Sequence, residues 1–249
     1  MRAIHRLAFV ALALGAAACS ESAVGPSQPV DLPTALSEMS ISSIAPLEVS
    51  SGVSVPSLSV VPSRCSYDAA LQSFACAPLT SNGFTITSAY TLLSASGAPQ
   101  SAFDAATTAA IRTTTTLSGS TVLTGDTLHL DAHQTMTLSG LLTGHHLLDG
   151  TQVAHMTGHL AGSSLDETMT TTIAGLIPPT PGSANPYPGG GSIIFTMVDA
   201  SFPAGTVTMT MVFNGTSKVD VTISAAGLPP QHCTIDLANA ASGGSCGIP

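Results

Sequence analysis

Between residues 206 and 224 the chain reads TVTMTMVFNGTSKVDVTIS. Val207, Met209, Met211 and Phe213 are apolar on one side of Asn214-Gly215, and Val219, Val221 and Ile223 on the other. A period of two broken by a turn dipeptide predicts a β-hairpin with one buried face. The faces constrain the turn. A two-residue loop would set Met209 opposite Asp220 and Met211 opposite Lys218, mixing apolar with charged. A loop of odd length, with Gly215 in a left-handed bulge, puts Met209 and Val207 beside valines and is the predicted form.

Variants of this unit fill most of the chain. Strands are predicted at 84–93, 105–117, 127–138, 152–161, 167–176, 192–202 and 232–237 besides the two of the hairpin, about nine in all. The segment IIFTMV at 193–198 is apolar on both faces, so it is predicted to be central and covered on both sides. No stretch demands a long helix, and short links imply sequential antiparallel pairing. The predicted fold is all-β: an antiparallel meander with little helix, curled into a barrel or half-barrel or folded as a sandwich. One link is long. IPPTPGSANPYPGGGS at 177–192 is predicted to be a mobile connection, placed where a lid would also sit.

Composition narrows the picture. Of 249 residues, 44% are hydrophobic and 8% charged, enough material for one sizeable core. Trp is absent, so Val, Ile, Leu, Met and Ala must build that core. Flexible Met at 136, 156, 169, 197, 209 and 211 is expected chiefly to fill it, though such a stripe also suits an adaptable apolar cavity. Arg2 and Arg6 lie in the leader, leaving three basic residues against 14 acidic ones, a formal charge of −11 (3 − 14). With no basic patch, nucleic acid is excluded as a partner. An acidic chain also sits poorly on anionic phospholipid unless a covalent anchor holds it.

Such an anchor is predicted. Residues 1–18 carry Arg2 and Arg6, then LAFVALALGAAA, then Cys19: a basic start, a short apolar segment and small residues, the pattern of a secretory signal peptide. LGAAAC, ending at Cys19, resembles the lipobox of bacterial lipoproteins, with Ala16 where that class more often has Leu. The resemblance implies cleavage before Cys19, diacylglycerol on its sulfur and acylation of the new amino terminus. With Ser20 following, it also implies sorting to the outer membrane, facing the periplasm or the cell surface. Residues 19–62, rich in Ser and Pro, are expected to be a tether, with a short strand at 53–61, and 63–249 a single β-domain.

With Cys19 set aside, Cys65, Cys76, Cys233 and Cys246 remain, and local pairing, Cys65 with Cys76 and Cys233 with Cys246, is the simplest arrangement for an exported domain. Histidine supplies the most suggestive chemistry. His129 and His133 share the polar face of one strand, and His155 and His159 that of the next. Pairing centred on residue 144 would oppose His133 to His155 and His129 to His159, close enough for two imidazoles to share one metal ion. A turn at Asp149-Gly150 would break that alignment. Gly243-Gly244-Ser245-Cys246-Gly247 matches the G-x-S-x-G string but lacks the following helix that the nucleophile elbow needs. No nucleophile–base set, phosphate cradle or cofactor motif is found. The expectation is a non-catalytic cell-envelope lipoprotein whose β-domain binds or supports an apolar ligand or an envelope protein. The alternative is a metal-binding envelope protein using the histidine face.

Overall fold

The computed structural model describes residues 31–32, 62–123, 126–160, 163–179, 184–199 and 205–238. The leader, Cys19, residues 53–61, Cys246 and the G-x-S-x-G string lie outside these. After a 3-10 turn at Pro62–Arg64 come β1 (Cys65–Asp68), β2 (Ser73–Cys76), β3 (Leu79–Ser81), β4 (Phe84–Ser94) and β5 (Pro99–Gln100). The long strands follow: β6 (Thr108–Leu123), β7 (Asp126–Ser139), β8 (Leu147–Leu160), β9 (Ser163–Ile177) and β10 (Gly190–Asp199). The series ends with β11 (Thr206–Phe213), β12 (Lys218–Ala225) and β13 (Gln231–Asp236). All thirteen belong to one antiparallel sheet whose spatial order follows the sequence from β6 to β13, with β4 beside β6. The meander is curled and not closed. The nine predicted strands are all present; β1, β2, β3 and β5 are additional. Three of these, β2, β3 and β5, share the edge of β4 that β6 leaves open.

The inner face is set by the alternation. Across it, Leu92, Ile111, Leu138 and Leu148 stand in register, each with at most 1% of its surface exposed. They belong to the larger of the apolar clusters, with Met209, Met211, Val219 and Ile235. A smaller one holds Phe84, Leu117, Leu130, Met156 and Met169. Between them runs a polar row of cross-strand neighbours: Ser88, Thr115, Gln134, Gln152 and Thr171. All but Ser88 are buried, and Thr115 Oγ1 donates to Ser88 Oγ at 3.3 Å. Met209 and Met211 expose no surface at all, so they fill core.

Two expectations are corrected. In β10, Ile193, Phe195 and Met197 are buried but Val198, on the outer face of the curled sheet, is 45% exposed among the described residues. In the β11–β12 hairpin the odd loop holds, yet Met209 pairs with Ile223 and Val207 with Ala225 rather than with valines. A wider turn accounts for this: Asn214 Oδ1 accepts the amide and the hydroxyl of Thr216. The far end of the 177–192 link carries backbone and side-chain hydrogen bonds. Gly189 N donates to Ile177 O, Gly215 N to Pro188 O, and Asn185 Nδ2 to Gly215 O. Leu32, in the stretch read as a tether, packs against the larger cluster.

Cys65 and Cys76 are directly opposed in the β1–β2 hairpin and bonded, as local pairing predicts. Cys233 is also disulfide-bonded. Converting Cys65 and Cys76 together to Ser is expected to lower the unfolding free energy by about 2–3 kcal/mol, the loop-closure value for so short a ring. Urea titration checks it; an unchanged midpoint would show that the stacking of Phe74 on Tyr90, centroids 4.5 Å apart, fixes the hairpin without the bridge.

Candidate functional site

The outer face of β7–β9 carries the histidines. Alternation points His129, Asp131 and His133 outward on β7 and His155 and His159 outward on β8, and the register then chooses neighbours. The β7–β8 pairing centres on residue 143, with Ser139 opposite Leu147 and the turn at 140–146. Asp149-Gly150 lies inside β8 and makes no turn. His133 therefore faces Val153, His129 faces Thr157, and His155 faces Asp131. The histidine-to-histidine alignment predicted around residue 144 is displaced by two residues. The displacement has a packing cause: Met136 lies over Gly150, where a Cβ would meet its sulfur at 2.3 Å.

Two polar contacts organise the face. His155 Nε2 and Asp166 Oδ1 are 2.8 Å apart, both groups largely exposed. An ion pair so wetted contributes at most about 1 kcal/mol. His129 Nδ1 and Ser120 Oγ are 2.6 Å apart. A hydroxyl bonded to an imidazole is the first half of an activated nucleophile. The Ser120 amide, which could have served an oxyanion, donates to Gly83 O instead.

At one end of these strands an open groove of about 670 Å³ is lined by Asp126, Thr127, His129, Thr157, Gly158, His159, Ser164, Leu165 and Asp166. It gathers two of the four predicted histidines, His129 and His159, and leaves out His133 and His155. Among the described residues, no three His, Cys, Asp or Glu side chains are placed to hold one metal ion. Ser120 and Asp126 are the residues that sequence reasoning missed, while Asp166 reads there only as a poor acid/base partner for Glu167, its neighbour on the opposite face of a strand. Asp166 sits one residue before the predicted start of its strand, and Ser120 three residues past the predicted end of its own. No protein-family model matches the chain, and no curated protein or solved structure matches it either.

Proposed function

We propose that this chain is a non-catalytic cell-envelope lipoprotein, exported and held on the outer membrane by acyl chains on Cys19. Its β-domain has a binding or structural role there, toward an envelope protein or an apolar ligand. The observation that carries the reading is LGAAAC at the end of a basic, apolar leader. Two or three acyl chains, at about 0.8 kcal/mol per buried methylene, make such an anchor effectively permanent. The fold is compatible with a role short of catalysis: the larger cluster is packed to zero exposure at several positions, and the groove at the end of β7–β9 is open to solvent.

The test has two parts. Full-length chain expressed in a Gram-negative host should lose residues 1–18 and carry acyl mass on Cys19, while Cys19→Ser should leave the membrane fraction. An unmodified Cys19 after cleavage would end the lipoprotein reading. Native mass spectrometry of the Cys19→Ser protein should then show bare polypeptide, unchanged by organic extraction or chelation. An excess mass lost to solvent would indicate an apolar cargo, and one lost to chelator a metal ion in the histidine groove.

A further inference from the structure

We infer that the outer face of the β7–β8 hairpin is an acid-gated contact for an anionic lipid surface, with its histidines supplying the charge. The inference goes beyond the anchor at Cys19 and does not require it.

Placement is the first argument. The register keeps the histidines from sharing an ion, so the chemistry left to them is their own titration. Of the chain's eight histidines one lies in the leader, and six of the other seven fall between 129 and 159. Five of these are exposed: His129 and His133 on β7, His155 and His159 on β8, and His145 in the turn between them. Because β7 and β8 are neighbours, the five form one stripe parallel to the strands, roughly 35 Å long at about 3.3 Å per residue. The outer face of a curled sheet is convex, and a convex surface meets a flat one along a line. The stripe runs along such a line. Val153, 45% exposed and directly opposite His133, adds an aliphatic contact within it.

Charge is the second argument. The fixed charges beside the stripe are Arg112 on β6, Asp126 and Asp131 on β7, Asp149 on β8 and Asp166 on β9. Glu167, next along β9, is buried on the inner face. With neutral imidazoles this face carries −3 (1 − 4), which an anionic leaflet repels. Imidazole is the side chain whose charge changes between about pH 5 and pH 8. Five imidazoliums turn the same face to +2 (6 − 4). His155 sits in the middle of the exchange, 2.8 Å from Asp166 and paired across the strands with Asp131, so its added proton lies beside two carboxylates. The rest of the sheet has no such reversal. Among the described residues of β10–β13 the one imidazole is His232, set against Asp199, Asp220 and Asp236 with Lys218. Asp220 on β12 is four strands from β8, about 19 Å along the sheet. That exceeds the screening length of about 10 Å at 0.1 M salt, so the carboxylates of β12 and β13 do not cancel the stripe.

The test uses the Cys19→Ser protein, which carries no acyl chains, sedimented with phosphatidylglycerol vesicles. Lowering the pH from about 7.5 to about 5.5 should raise the bound-to-free ratio about tenfold or more, and added salt should reverse it. Phosphatidylcholine vesicles should bind little at either pH. Replacing His129, His133, His155 and His159 together with Gln should abolish most of the gain, while His232→Gln should keep it. Should the fourfold variant not fold, the two strand pairs replaced separately should each keep an intermediate gain. Acid-driven binding that survives the histidine replacements would mean that protonated carboxylates drive it, and would overturn the inference. So would equal binding to phosphatidylcholine, or no binding at either pH. None of these outcomes bears on acylation of Cys19, which the membrane fractionation above tests by itself.

Discussion

Leu138→Ala is expected to lower the unfolding free energy by about 3–5 kcal/mol, against a change within about 0.5 kcal/mol for Leu142→Ala four residues later. Leu138 has no exposed surface and stands in register between Ile111 on β6 and Leu148 on β8, both equally buried. Removing its isobutyl group deletes transfer energy and leaves a void that the neighbours fill only in part, since ladder hydrogen bonds hold β6 and β8 at a fixed distance from β7. Leu142 is 42% exposed in the turn, and its truncation opens no void. Urea midpoints measure both. The comparison bears on function, because a loss at Leu138 below about 1 kcal/mol would mean that the inner face has slack. An apolar guest would then regain its place in the interior.

The sequence was most legible in its parity. Alternation of apolar and polar residues assigns each side chain to a face, and those assignments survive in β7, β11 and β12, whereas in β9 a bulge reverses the parity so that Ile173 and Leu176 are both buried. Alternation says nothing about a displacement of two residues, which returns each side chain to the same face. Both predicted hairpin registers missed by that step. In β7–β8 the choice was made by Met136 needing the space over Gly150, and in β11–β12 by Asn214 and Thr216 building a wider turn. The candidate site inherits this weakness. Contacts such as His155–Asp166 depend on two registers at once, and Ser120–His129 depends on β6 continuing past Gly119, which reads in the sequence as a strand end. The packing of Leu32 had no sequence signal, because one leucine in a Ser/Pro-rich stretch is not periodic.

Gly191→Ala is expected to be among the most damaging single-methyl additions in the domain, at about 3 kcal/mol or more, against about 1 kcal/mol for Gly97→Ala. Both glycines have left-handed backbones, φ +94° at Gly191 and +80° at Gly97, so both substitutions carry the strain of an L side chain there. Only one carries a clash. A Cβ at Gly97 meets nothing within 4 Å, whereas at Gly191 it falls 2.4 Å from Gly175 O and 2.5 Å from Leu176 Cα. Those are backbone atoms, and they cannot swing aside as a side chain end would. They sit where the registers of β9 with β8 and with β10 both shift, so moving them displaces two ladders. Gly191 also pairs with Phe213 at the foot of the turn to which Asn185 and Pro188 are bonded, so the fixed end of the 177–190 link should loosen with it. Urea midpoints of the two variants, with amide exchange at Gly189 and Gly215, measure both effects. Equal losses at Gly97 and Gly191 would show that backbone strain alone is at work and that β9 and β10 can part at the bulge without resistance. A larger loss at Gly191 with early exchange at Gly215 would show that the bulge, the pinned link and the hairpin turn open as one unit.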